Sequence, residues 1–337
     1  MKICIVGAGA IGGLLGARLA FAGNTVTFIE KQAESRDAIN NNGLKLIEAN
    51  GKESIAVGVR ATADIGEPGP QDIVVLAVKA HQVGAVAPEL HKLLGKDTLV
   101  VTVQNGLPWW YFQNYAGPLA GKTLHSVDPD GTISATIDPN RIIGCVVFPA
   151  ASVVAPGVIQ HEEGDRFSVG ELDGSKSARV QALYDLLVAA GFKSFVLDNV
   201  RAEIWLKAWG NLSFNPISAL THAGMSHIAK FSLTRDLSVK MMEEAQTVAN
   251  KLGITFRHTI DKRIAGAEAV GPHKTSMLQD VEAGHALEID ALVGSIVELA
   301  CLTETPTPHI DAVYACVKLL DDVMAHDHVA VVPTSTH

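Results

Sequence analysis

The chain has 337 residues, 47% of them hydrophobic, a length that at about 150 residues per domain predicts two globular domains. Thirty-six acidic side chains against 27 lysines and arginines give a net charge of -9 and a pI near 5.8. With no basic stripe to neutralise phosphates, nucleic acid and anionic membrane are excluded as partners, and a small ligand is expected. Four well-separated cysteines (Cys4, Cys145, Cys301, Cys316) form no CxxC pair, which argues against a zinc site or a secreted disulfide framework and for a reducing cytoplasm.

Residues 2 to 6 form a short apolar run ending at glycines, and residues 11 to 22 then carry apolar side chains at helical spacing up to Gly23. Read as a signal peptide, this segment fails, because five glycines interrupt it and Arg18 charges it; no other stretch approaches the roughly 20 apolar residues of a membrane span. Thr25 to Ile29, Ile73 to Val78 and Leu99 to Val103 read as further strands with helical patterns between them, so the fold class is α/β with a parallel, doubly wound sheet. Residues 121 to 141, with Asp128-Pro129-Asp130-Gly131 and Asp138-Pro139, read as an excursion. From Ile142 to Val169 β-rich runs are broken by Pro156-Gly157 and Gly164-Asp165, which predicts an antiparallel extension of the sheet. A helix near Ser177 to Ala190 and a strand near Ser194 to Leu197 close a first domain at 1–198.

Asp198 or Asn199 is suited to cap the next helix, and the text stays helical from there, giving an all-helical domain at 199–325 and a tail at 326–337 that contains His326 and His328. Leu233, Leu237, Met241, Val248 and Leu252 recur at helical spacing before Gly253. Helical second domains often pair, so a homodimer is open, although no stripe marks an interface.

Gly7-Ala8-Gly9-Ala10-Ile11-Gly12 is GxGxxG directly after a strand and opening a helix. The first glycine permits the tight turn, the second lets a pyrophosphate approach the backbone, the third packs helix on strand, and the helix N-terminus attracts phosphate. Glu30 falls 18 residues after Gly12 at the end of the second strand, where an acid can hold a ribose hydroxyl. Dinucleotide binding follows.

Lys207, Asn211 and Asn215 are spaced i, i+4, i+8 and stack a cation and two carboxamides on one helix face, beside Trp205, Trp209, Leu212 and Phe214. A solvated stripe is the alternative to a site, yet such stripes seldom use two asparagines, which are poor helix formers. Pro216 adds a kink next to Asn215. Ser276 and Glu288 would lie about 18 Å apart on one straight helix, too far to share a small ligand unless the chain breaks near Gly284-His285; otherwise Ser276 merely caps a helix and Glu288 sits in the first turn of the next. The thirteen histidines show no HExxH spacing, and no GxSxG elbow appears, so neither a metal site nor hydrolase chemistry is expected.

Together these segments resemble the ketopantoate reductase (2-dehydropantoate 2-reductase) family: Lys2 to Gly12, Lys79-Ala80-His81-Gln82, Gln104-Asn105-Gly106, Glu203 to Pro216 and Ser276 to Asp290, in that order and nearly spanning the chain. The resemblance implies hydride transfer from a nicotinamide to the C2 ketone of ketopantoate or a related 2-oxo acid, giving pantoate for pantothenate and coenzyme A synthesis. It makes Lys207 the general acid and Glu288 the residue that orients the substrate through its hydroxyl. Asn211 and Asn215 would line the pocket, Ser276 would contact the carboxylate, and Asn105 would stand between cofactor and substrate. The nicotinamide is expected to reach from the carboxyl edge of the sheet toward Lys207. A β-hydroxyacid dehydrogenase and a non-catalytic NAD(P) sensor are the competing readings. Two features stand apart from the simplest family members: the excursion and the aromatic run Trp109-Trp110-Tyr111-Phe112, which either lines the pocket or packs. On cofactor choice, Glu30 argues for NAD, whereas Lys31, with Lys79 from the next loop, argues for NADP, which the resemblance also favours; Glu30 is then expected to turn outward to solvent.

Overall fold

The computed structural model describes residues 1–271 and 273–327. The chain divides into two compact units, one made of residues 1–104, 109–123 and 128–200 and the other of 105–108, 124–127 and the chain from Arg201 on. Residues 105–108 and 124–127 thus leave the span read as the first domain. Their backbone explains it: the Leu107 N–H donates to the Ala291 carbonyl at 3.0 Å, and the Glu298 carboxylate accepts the N–H groups of His125 and Ser126, each at 2.8 Å.

The first unit opens with β1 (Lys2–Val6), α1 (Ala10–Phe21) and β2 (Thr25–Ile29). Every β1 residue after Lys2 is buried, as a strand covered on both faces requires. A Cβ at Gly16 would fall 2.2 Å from the Phe28 ring, so only glycine lets α1 lie this close to β2. Next come α2 (Ala33–Asn42), β3 (Leu44–Ile47), β4 (Glu53–Ala56), β5 (Arg60–Thr62) and β6 (Gln71–Leu76). Between β6 and β7 (Leu94–Thr102) the expected helix shrinks to α3 (Val83–Val86) between two 3₁₀ segments, the second carrying Pro88 in its first turn. The excursion holds α4 (Thr132–Thr136), over whose start buried Asp128 accepts the N–H groups of Ile133 and Ser134. Then follow β8 (Ile142–Val147), β9 (Ala150–Ala155), β10 (Val158–Glu163), β11 (Arg166–Glu171), α5 (Ala178–Ala189) and β12 (Lys193–Val196).

Eight strands form one sheet in the order β12-β11-β8-β7-β6-β1-β2-β5. Its neighbours are parallel throughout except at β8–β11, which makes the first unit a Rossmann-type domain with an antiparallel step. The antiparallel extension expected for 142–169 therefore holds for β8 and β11 only. β9 and β10 leave the sheet and join β3 and β4 in a second sheet of order β4-β3-β10-β9. It packs on α1, where a Cβ at Gly13 would fall 2.6 Å from Ile159.

The second unit is helical. α6 (Val200–Thr221) is followed by α7 (Met225–Lys230), α8 (Ser232–Lys251), α9 (Ile260–Ala269) and α10 (Ser276–Ala283). A π-helical turn (Asp290–Gly294) runs into α11 (Ser295–Leu302), and α12 (Pro308–Asp327) completes the unit. α8 buries Met241, Met242, Ala245, Val248 and Ala249, each large side chain worth roughly 1.5–3 kcal/mol of transfer from water. Leu233, read on that stripe, is 70% exposed, because the buried face begins at Ser238. Gly253, at φ 78°, ends the helix as expected of a glycine there. Glu244 of α8 accepts the backbone N–H groups of His309 and Ile310 and so caps α12. That helix runs through Asp327, which places His326 in a helix and not in a tail; His328 and the rest of the expected tail lie outside the described residues. Among the described residues no helix is long and apolar enough to cross a membrane.

Candidate active site

In the first unit the strand order reverses at β1, so the loops after β1 and β6 flank the switch point where open α/β sheets take ligands. Gly7 has φ 105° and would clash as any larger residue, its Cβ falling 3.0 Å from the Val78 nitrogen. At Gly12 a Cβ would fall 2.1 Å from the Gly7 carbonyl oxygen, so the third glycine lets α1 start against the turn. Around Gly9 nothing lies within 4 Å of the Cβ position, and Gly9 caps the twelve-residue α1 without a side-chain bond. The N–H groups of the first helical turn, at Ala10, Ile11 and Gly12, have no partner within the helix, and the open space at Gly9 lets a ligand approach this end of α1. This cradle fits a dinucleotide pyrophosphate.

Glu30, at the end of β2, does not turn outward. Its carboxylate accepts the N–H of Ala8, in the tight turn after β1, at 3.1 Å and that of Gln32, in the loop after β2, at 2.8 Å. Lys31 is exposed, and its ammonium has no partner among the described residues. A cation the sequence reading missed lies beside it: Arg36 Nη1 donates to the carbonyls of Glu30 at 3.1 Å and Lys31 at 2.6 Å. Lys79 is half-buried at the start of the 3₁₀ turn after β6, where its N–H donates to Gln82 at 3.1 Å. Gln104 ties the loop after β7 to this one, donating to the carbonyls of Leu76 and Val78.

In the second unit α6 is buried at every position from Glu203 to Ala219 except Lys207 and Asn211. The polar stripe is thus a window in a buried helix and not a solvated face. Trp205, Trp209 and Phe214 lock the apolar side, with the Trp209 ring 4.3 Å from that of Phe256 and its Nε1 donating to the Met242 carbonyl at 2.7 Å. Lys207 Nζ donates to Asn105 Oδ1 at 2.6 Å. Asn105 is held by its neighbour: Gly106 has φ 80°, and a Cβ there would fall 2.1 Å from the Ala291 carbonyl oxygen, in the π-helical turn.

Asn215 is buried and its Nδ2 lies 3.5 Å from Ser276 Oγ. The helix cap is Thr275, whose hydroxyl accepts the Leu278 N–H, so Ser276 is not consumed in capping. α10 ends at Ala283 with Gly284 at φ 66°, and four residues in irregular conformation follow, the break that Ser276 and Glu288 need to serve one ligand. Glu288 is half-buried two residues before the π-helical turn begins at Asp290, an irregularity of a kind often found at functional sites. The aromatic run packs: Trp109, Trp110, Tyr111 and Phe112 are all buried in the first unit, and Trp110 Nε1 donates to Thr102 Oγ1 at 3.0 Å. Burial pushes the Cys4 thiol up to about 12, so this cysteine stays a neutral core residue. Among the described residues no group of three or more His, Cys, Asp and Glu is placed to hold a metal.

Residues 3–174 match the family model of ketopantoate reductase PanE/ApbA, and residues 199–321 match that of its C-terminal domain. The chain belongs to the ketopantoate reductase family. A 2-dehydropantoate 2-reductase of Mesorhizobium japonicum is 53% identical over 95% of this chain and 98% of that protein, and one of Pyrococcus abyssi is 30% identical over 91% and 94%. The crystal structure of a candidate ketopantoate reductase from Ralstonia solanacearum MolK2 superposes with a TM-score of 0.91 at 38% identity, covering 96% of this chain and 98% of that one. Like its family, the chain is an oxidoreductase with a Rossmann-type domain and a helical domain.

Proposed function

We propose that the chain catalyses the NADPH-dependent reduction of the C2 ketone of ketopantoate to pantoate, in the cytoplasmic synthesis of pantothenate. The observation that carries the reading is Lys207 Nζ at 2.6 Å from Asn105 Oδ1 in the window of α6. The bound nicotinamide supplies the hydride. Lys207 binds the ketone oxygen, stabilises the negative charge that develops there, and gives up its proton to form the hydroxyl. Asn105, which accepts from the ammonium, keeps it aimed. Glu288 orients the substrate through the substrate's own hydroxyl, and Asn211, Asn215 and Ser276 supply neutral hydrogen bonds. A panel of 2-oxo and 3-oxo acids with NADPH tests this: the 2-oxo acids, ketopantoate foremost, are expected to turn over. A preference for 3-oxo acids would favour a β-hydroxyacid dehydrogenase, and no turnover of any would favour a sensor.

Glu288→Gln is expected to lower kcat and raise KM, because it removes both binding and orientation, whereas Asn211→Ala raises mainly KM. Steady-state kinetics with ketopantoate checks both; if neither constant moves in either variant, the pocket is misplaced.

NADPH preference rests on Lys31 and Arg36. Glu30 already has its charge held by two backbone N–H groups, which leaves the 2′-phosphate to the two cations. Lys31→Ala is expected to weaken NADPH and spare NADH in fluorescence titrations of the protein. Equal loss for both cofactors, or a wild-type preference for NADH, would show that Glu30 governs the choice.

A further inference from the structure

Arg263 lies in the first turn of α9, and its guanidinium rests flat on α6 at Gly210. A Cβ at residue 210 would fall 2.1 Å from Arg263 Nη2 and 2.7 Å from both Cζ and Nε, so this approach requires glycine. Gly210 stands three residues after Lys207 and one before Asn211, on the face that carries the window. The guanidinium has no hydrogen bond and no ion pair among the described residues, and its Nε is fully buried without a partner. Its neighbours differ. On α6, Glu203 is held by Arg257, with Nη2 to Oε1 at 3.0 Å; on α9, Glu268 is held by Arg235. Glu203 and Glu268 are thus committed to other arginines, and the third carboxylate of the two helices, Asp261, is exposed and makes no ion pair with Arg263 among the described residues.

Arg263 is half-buried, but its Nε is fully buried with no partner for its N–H, which is costly, and arginine cannot shed its proton to escape the cost. Burial does push its pKa downward, but from a starting point too high to neutralise it. Such a group is retained where an anion completes it, and a planar fork suits a carboxylate best. Gly210, against which the guanidinium rests, is three residues and so less than one helical turn along α6 from Lys207.

We propose that Arg263 binds the carboxylate of the 2-oxo acid and thereby makes the site select acids over the corresponding esters. The inference rests on the reading of the chain as a 2-oxo acid reductase. Ser276 then contributes a neutral bond to the same end of the substrate, and Arg263 contributes the charge.

The test compares the best 2-oxo acid of the panel with its methyl ester, using the wild type, Arg263→Met and Arg263→Lys, with melting temperatures recorded for each. Arg263→Met is expected to lose about 30-fold or more in kcat/KM for the acid, mainly through KM, with little change for the ester, so that the acid-over-ester preference collapses. Arg263→Lys keeps the charge but not the fork, and is expected to recover part of that preference. Added guanidinium ion should restore acid reduction in Arg263→Ala, a rescue that a packing role would not give. Parallel loss for acid and ester, or a preference that survives Arg263→Met, would overturn the assignment and leave the reductase reading in place. A wild type that reduces no 2-oxo acid would remove the reading and the assignment together. Should Arg263→Met fail to fold, the Lys variant and the rescue decide.

Discussion

Replacing Lys207 with alanine is expected to lower kcat for ketopantoate reduction by about 10²- to 10⁴-fold, the range that a positioned general acid supplies. The ammonium acts twice in the proposed step, as the charge that meets the developing alkoxide and as the donor that quenches it, and alanine removes both. The proposed dinucleotide cradle, Gly7 to Gly12 with Glu30, belongs to the first unit and Lys207 to the second, so NADPH binding should be retained. Single-turnover oxidation of bound NADPH, set against its dissociation constant, separates the two effects. Wild-type turnover in this variant would remove Lys207 from the mechanism.

The second large effect is expected at a residue that touches no substrate. Gly106→Ala places a Cβ 2.1 Å from the Ala291 carbonyl oxygen at a backbone φ of 80°. The left-handed conformation alone costs about 1–2 kcal/mol for a non-glycine residue, and the clash is with backbone, which cannot swing aside as a side chain can. The loop that holds Asn105 must then move away from the π-helical turn, and Lys207 loses the acceptor now at 2.6 Å. The expected result is a lowered melting temperature together with a kcat reduced by more than tenfold, while NADPH affinity stays near the wild-type value. An unchanged kcat would show that Asn105 does not aim the ammonium.

Much of this was legible in the amino-acid order, for reasons that differ from element to element. β1, β2, β6 and β7 are apolar runs long enough to mark buried parallel strands, and the GxGxxG turn names its own geometry. β3 and β4 were not legible: they are four residues each, and the sheet they build depends on β3 pairing with β10, more than a hundred residues away. The same pairing draws β9 and β10 out of the main sheet, which no local pattern announces. The spacing of Lys207, Asn211 and Asn215 marked one face of α6, but only the burial of everything around that face separates a window from a solvated stripe. Glu30 faces inward onto the Ala8 N–H of the glycine turn, a partner 22 positions earlier that is visible only in three dimensions. Arg263 reads in sequence as one more charge in the first turn of a helix, Ile-Asp-Lys-Arg; its meaning comes from Gly210, 53 positions earlier.

The most direct test of the account is the product itself. Purified protein incubated with ketopantoate and NADPH should form pantoate in an amount equal to the NADPH oxidised, and the Lys207→Ala protein under the same conditions should form almost none. Ketopantoate recovered intact beside unoxidised NADPH, with the wild-type protein folded and the cofactor bound, would contradict it.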